Sequence, residues 1–393
     1  DALGDCFTTL VRNINLDKNS LVFQEVDNET AANKRKPDEL SFNARPSTNT
    51  FAIYWLSTLL VMIVCIVIVG GMTRLTDSGL SIVEWRPISG VLFPLSKEHW
   101  LTEFEKYKLI PEFVLVNSEM TLTEFKYIYF WEWGHRQLGR AIGLVWCIGF
   151  LWLAIKKQIP SGWGIKFLLI GVLIGLQGFI GWWMVYSGLM PEMTDVASYR
   201  LATHLGMAFC IAGLILWFVL SLQLNFQAVM LRRRERDKLL FMCMNIYLIA
   251  VFLQIILGAL VAGIDAGTAY TDWPFMAGDF FPSDYWAFDG ILENFLENPA
   301  NVQFNHRMSA YFLIIVGLVT FGQSRKNPVV LLKRGHVMLF IILLTEALLG
   351  VFTVTYGAPY QLAIVHQLLA LILWGAVVWI RFETGFPRRQ VLV

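Results

Sequence analysis

Charge is scarce in this chain. Only 16% of its 393 residues are Asp, Glu, Lys or Arg, against roughly 25% in an ordinary soluble domain, so a water-facing globule is excluded. The net charge of +1 offers no global field for nucleic acid or for acidic substrates. Cysteine is scarce as well: Cys6, Cys65, Cys147, Cys210 and Cys243 are scattered without CxxC spacing, which excludes a zinc or disulfide framework. Between Asp265 and Asn305 there is no Lys or Arg at all. Neither a signal-peptide pattern nor an Arg-rich presequence appears at the start, so any targeting segment is expected to lie outside these residues.

What the chain has instead is apolar length. Hydrophobic residues make up 56%, gathered into runs at 51–72, 127–155, 163–187, 200–223, 239–264, 302–322, 332–355 and 361–382. Each can cross a hydrocarbon core that needs about 20 helical residues. The expected fold class is therefore an all-α integral membrane protein of eight transmembrane helices, spans 1 to 8. Lys156 and Lys157, the cluster Arg232, Arg233, Arg234, Arg236 and Lys238, and then Arg325, Lys326, Lys333 and Arg334 follow spans 2, 4 and 6, which marks those loops as inside. Asp265, Asp272, Asp279, Asp284, Asp289, Glu293 and Glu297 mark the connection after span 5 as outside. Both termini then fall inside, with Lys34, Arg35, Lys36 and Arg45 before span 1 and Arg381, Arg388 and Arg389 after span 8.

The chain also repeats itself. Gly70, Asp77, Gly79 and Trp85 recur 188 residues later as Gly258, Asp265, Gly267 and Trp273. Gly181, Val185 and Gly188 recur 169 residues later as Gly350, Val354 and Gly357. A four-span repeat returns the chain to its starting side, so two four-helix bundles related by a pseudo-twofold axis along the membrane normal are expected. The division reads as an inside segment 1–50, a first half 51–225 with a long outer loop 73–126, a basic linker 226–238, a second half 239–382 and an inside tail 383–393.

The histidines obey the repeat. His135, His204, His306 and His366 occupy the outer third of spans 2, 4, 6 and 8, and Glu132-Trp133-Gly134-His135-Arg136 aligns with Gln303-Phe304-Asn305-His306-Arg307. Ionisable groups in hydrocarbon are costly and usually functional. Two facing imidazoles without a Cys or carboxylate set suit haem iron better than zinc. Arg136, Arg307 and, one turn on, Arg140 are placed to meet haem propionates at the wetter end. Span 3 carries a stripe of Gly171, Gly175, Gly178 and Gly181 that admits a flat ring or a neighbouring backbone. His99 and His336 have no repeat partner and read as structural.

One matched position differs in chemistry. Three residues before the histidine the first half has Glu132 and the second Gln303; an amide copies the shape of a carboxyl group but shuttles no proton. Glu132 is therefore the candidate catalytic carboxylate, and Glu132→Gln is expected to leave fold and porphyrin binding intact while the chemistry stalls. Glu346 in span 7, matched by Gln177 in span 3, is the other intramembrane acid and carries a weaker functional signal.

With these residues in view the chain resembles the haem A synthase family, and a long outer loop without a cysteine pair resembles its mitochondrial branch. The resemblance spans about 45–382 and rests on Glu132 to Arg140, Tyr199-Arg200-Leu201-Ala202-Thr203-His204, Ala262-Gly263-Ile264-Asp265-Ala266-Gly267, Glu297-Asn298-Pro299, Phe304-Asn305-His306-Arg307 and His366-Gln367. It implies oxidation of the C8 methyl of haem O to a formyl group, giving haem A for cytochrome c oxidase. His135 and His204 would flank the substrate haem, His306 and His366 would hold a haem b, and Glu132 matches the family's essential glutamate. Implied partners are a haem O synthase as supplier, an electron donor such as a ferredoxin system and cytochrome c oxidase assembly factors, with no nucleic acid; whether copies associate is open. The implied location is the mitochondrial inner membrane, with both termini in the matrix.

Two other readings compete. A di-haem electron-transfer cytochrome would share the histidine pattern, but all four ligands lie near one face and the Glu132/Gln303 difference would have no purpose. A transporter with rocking halves would need a midplane site and Pro-broken helices, and neither is apparent.

Overall fold

The computed structural model describes residues 49–388, with the side chain of residue 226 left aside. Cys6, Lys34, Arg35, Lys36, Arg45 and Arg389, and the expectations placed on them, lie outside the described residues. Among the described residues eight helices are long and apolar enough to span a membrane: span 1 Thr50–Leu75, span 2 Leu122–Ile155, span 3 Gly164–Gly188, span 4 Ser198–Leu222, span 5 Lys238–Gly263, span 6 Pro299–Ser324, span 7 Val330–Thr355 and span 8 Tyr360–Gly385. No strand occurs among the described residues; Met276 and Asp279 form an isolated bridge.

Local chemistry sets the boundaries. Span 2 starts above its apolar run because Thr121 and Glu124 form a reciprocal capping box, which satisfies two orphan N–H groups. Asn298 accepts from the first turn of span 6, whose first residue is Pro299, and Asp237 caps span 5 through Leu240 N–H. Just past spans 1 and 5 the chain turns through the left-handed region at Asp77 (φ 46°) and Asp265 (φ 50°). Aspartate tolerates that conformation better than most side chains, and these are the two residues the 188-residue repeat aligns.

The packing has the same form in both halves. Span 1 packs on spans 2 and 4, and span 3 on spans 2 and 4; likewise span 5 packs on spans 6 and 8, and span 7 on spans 6 and 8. Spans 4 and 8 meet between these sets, flanked by spans 4 and 5 on one side and spans 8 and 1 on the other. At that seam Trp374 Nε1 donates to Phe209 O at 2.8 Å, and Gly213 makes room, since a Cβ there would come within 2.9 Å of the same indole. Gln367 Nε2 ties span 8 to span 1 through Val67 O, 2.8 Å away.

Each outer loop folds down over its half. In the first, the helices Lys97–Tyr107 and Pro111–Leu115 set Trp100, Phe104 and Tyr107 against Phe125 and Tyr129 of span 2. Apolar and aromatic burial of this kind contributes to holding a loop down. In the second, Asn294, Asn298 and Asn301 bond to each other's neighbourhood and to the carbonyls of Phe288, Asp284 and Tyr285.

Candidate functional site

Four glycines explain how four imidazoles fit inside the bundles. A Cβ on Gly70 would lie 2.7 Å from His135 Cε1, on Gly181 2.9 Å from His204 Cε1, on Gly258 3.0 Å from His306 Cε1 and on Gly350 3.1 Å from His366 Cε1. Each odd-numbered span thus offers a groove in which the histidine of the next span lies against bare backbone. Of the glycine stripe in span 3, Gly181 serves His204 and Gly171 seats the Trp146 indole, while Gly175 and Gly178 meet nothing within 4 Å.

The rings of His135 and His204 face one another with centroids 6.3 Å apart. Two metal–imidazole bonds of about 2 Å laid end to end, with the ring radii added, fill that separation. Around them is a cavity of about 1390 Å³ bordered by Gly70, Glu132, Gln177, Arg140 and Trp182, larger than the roughly 300–1,000 Å³ of ordinary ligand pockets. No cluster of three or more His, Cys, Asp or Glu able to hold a bare metal ion occurs among the described residues. The donor set and the space therefore fit a large ring whose metal needs only two axial nitrogens. His306 and His366 are backed by glycine in the same manner.

Glu132 is 3% exposed and fully engaged. Its Oε2 accepts from Ser81 Oγ at 2.7 Å and from Ile82 N–H at 2.6 Å, and Oε1 accepts from Arg136 Nε at 3.0 Å. Arg136 spends its remaining donors on Glu84 O and Ile82 O. In the second half Gln303 Nε2 donates to Ala266 O and Tyr270 O. Arg307 donates to Gln303 Oε1 and to the carbonyls of Asp272, Phe275 and Tyr270. Both pairs pin an outer loop to an even-numbered span, but with opposite polarity: the first loop presents donors to residue 132, the second presents acceptors to residue 303. The expectation that an amide fits at 132 without strain is corrected accordingly, since a Glu132→Gln side chain must aim its NH₂ at another donor.

Arg140 donates to Pro87 O and Arg86 O, while its Nη1 is buried with no partner. His99 sits in the loop helix and His336 bonds within its own helix, Nδ1 lying 2.7 Å from Leu332 O, so neither joins the paired histidines.

Several residues at the site carry more than the sequence reading gave them. Gln177 Nε2 lies 3.2 Å from His204 Nδ1, Gln254 Nε2 lies 3.1 Å from His306 Nδ1, and Glu346 Oε1 lies 3.1 Å from His366 Nδ1. The signal for them was present, because each stands four residues before the glycine that backs its histidine. Arg74, at the outer end of span 1, binds Asp77 at 3.1 Å and Asp195 and Asp265 at 2.8 Å each. It joins the turn after span 5 to the first half. Glu112, in the loop helix on the cavity wall, is 5% exposed with Oε2 unpartnered. Burial, with the negative charges of Asp195, Glu132 and Asp77 adding to it, pushes its carboxyl up to about 8.

The described residues thus form a polytopic helical membrane protein with four glycine-backed histidines, two of them facing each other across a large cavity. The comparisons place it further. Residues 53–378 match the COX15-CtaA family, described as "Cytochrome oxidase assembly protein", and the chain belongs to that family. It is 47% identical over 373 residues to a "Heme A synthase" of Dinoroseobacter shibae, covering 95% of this chain and 97% of that protein. It is 45% identical over 367 residues to the "Heme A synthase" of Paracoccus denitrificans, covering 93% and 96%.

Proposed function

We propose that this protein is a haem A synthase, an oxidoreductase that converts the C8 methyl of haem O to a formyl group. The observation that carries the reading is the His135–His204 pair at 6.3 Å inside a cavity bordered by a buried carboxylate, in a chain whose relatives bear that name. Haem O is the substrate there. His306 and His366 would hold a haem b, which supplies one-electron transfer when bound.

The chain's own residues do the rest. The glycine grooves orient the imidazoles, and the aromatic cluster packs the first outer loop against span 2, the helix that carries Glu132 and His135. Glu132, one turn from His135, is proposed to stabilise positive charge developing at the methyl carbon or to take its proton. Arg136 and Arg307 hold the loops that roof each site. For the propionates Arg140 retains a free buried donor, Nη1, and Arg307 its Nε, whereas Arg136, expected to join them, gives its donors to Glu132 and the loop and is not proposed for that role.

The matched span pairings support two bundles about a pseudo-twofold axis. The cysteine-free outer loop at 73–126 supports the mitochondrial branch, and loop charge supports both termini in the matrix. A haem O synthase as supplier, a ferredoxin-type donor and cytochrome c oxidase assembly factors as partners belong to the same proposal. Masses of the pigments extracted from purified protein test it. Haem A or hydroxylated haem O together with haem b is expected; haem b alone would make the protein an electron-transfer cytochrome, and absence of haem would remove the reading.

A further inference from the structure

The residue one turn before each backing glycine forms a graded series. It is Ile66 before Gly70, Gln177 before Gly181, Gln254 before Gly258 and Glu346 before Gly350. In the same order these positions carry an aliphatic side chain, an amide, an amide and a carboxylate, and the amides present their NH₂ to His204 and His306. Only His366 has an acid at this position, with Oε1 3.1 Å from its Nδ1. Glu346 is 8% exposed and its Oε2 has no partner, so the contact this buried carboxyl group makes through Oε1 is the one with His366.

A histidine that gives Nε2 to a metal turns its Nδ1–H outward, and whatever accepts that hydrogen bond sets how strong a donor the imidazole is. A carboxylate held close to the ring, as Glu346 Oε1 is to His366 Nδ1, favours positive charge on the imidazole and on a metal bound to it. An amide that presents its NH₂, as Gln177 and Gln254 do while donating to His204 O and His306 O, does not, and neither does an isoleucine side chain. A more basic axial ligand stabilises the more positively charged oxidised metal over the reduced one.

We propose that Glu346 is a positioning residue that lowers the reduction potential of the haem held by His306 and His366 below that of the haem held by His135 and His204. It thereby sets electron flow from the second half to the first. This rests on the haem assignment made above, and it adds a direction to it. The first-half pair, served by Ile66 and Gln177, is left with the weaker donors and so with a metal that accepts electrons readily. No covalent step is involved: one electron leaves the second-half haem and one arrives at the first.

The test is a redox titration of the purified, haem-loaded full chain. A His135→Ala background isolates the second-half haem, and a His306→Ala background isolates the first. Glu346→Gln is expected to shift the second-half equilibrium about tenfold toward the reduced form, about 59 mV upward for one electron, with Glu346→Asp falling between. The reciprocal Gln177→Glu should move the first-half haem downward by a comparable factor, which keeps the proposal testable should Glu346→Gln release its haem. Retained haem with an unmoved potential in these variants would overturn the role of Glu346 and leave the haem assignment standing. Unchanged pigment content and spectrum in His366→Ala would instead overturn the haem assignment itself.

Discussion

The two halves hold the same corner with opposite chemistry. At residue 132 a carboxylate collects N–H and O–H donors from the loop that ends span 1; at residue 303 an amide hands its own donors to carbonyls of the loop that ends span 5. The arginine four residues on does the same mechanical work in both places. What separates the halves is therefore not how the roof is fastened but where acid lies. The first half has Glu132 on its roof and an amide behind His204, whereas the second has an amide on its roof and Glu346 behind His366. Carboxyl and amide are exchanged at two matched positions, and on the function proposed above that exchange is what divides the tasks.

Swapping the roof residues should break this comparison most severely. Glu132→Gln is expected to slow methyl oxidation by about 10² to 10⁴. It should also weaken the roof by about 1–3 kcal/mol through a buried donor left unpaired, and both are readable from product yield and a thermal melt of one preparation. Gln303→Glu sets a carboxylate against Ala266 O and Tyr270 O, and it should cost stability by a similar amount and loosen haem b without creating a second oxidising site. Product formation by Glu132→Gln at the normal rate would reduce the carboxylate to a fastening.

Next in size are the grooves. Gly70→Val and Gly258→Val push side-chain atoms into space already taken by His135 and His306, and each should deplete the haem of its own half while sparing the other. Loss of both pigments from either variant would mean that the halves do not bind independently.

Arg74 sharpens the comparison because the second half has Ala262 at the matching place. Arg74→Met frees Asp77, Asp195 and Asp265, which are 75%, 40% and 65% exposed on their side chains. Solvent screens much of that loss, so a cost of about 1 kcal/mol is expected, read as a modest fall in melting temperature with pigments retained.

The remaining effect is a pH slope. Glu112 binds its proton up to about 8 in the folded protein but releases it near 4.5 when unfolded. The folded state then holds more protons across this window, so stability should fall as pH rises from about 5 to 8. Glu112→Gln should flatten that slope, and an unchanged slope would place the titrating group elsewhere.

The spans were legible because apolar length is unambiguous, and the histidines because a repeat turns one unremarkable residue into four related ones. The start of span 2, expected at 127 and found at Leu122, was missed since its first turn is polar and held by a capping box. The roof was not legible: Arg136 and Arg307 bond mostly to carbonyls, and a carbonyl acceptor leaves no trace in side-chain identity. Gln254 was overlooked although its spacing to Gly258 matches that of Gln177 to Gly181.

The central claim, one reacting haem and one resident haem on matched histidine pairs, is tested most directly by pigment masses from His135→Ala and His306→Ala proteins made side by side. The account predicts that His135→Ala keeps haem b and loses haem O and its oxidised products. It predicts that His306→Ala loses haem b and accumulates unoxidised haem O. The same pigment missing from both variants would contradict it.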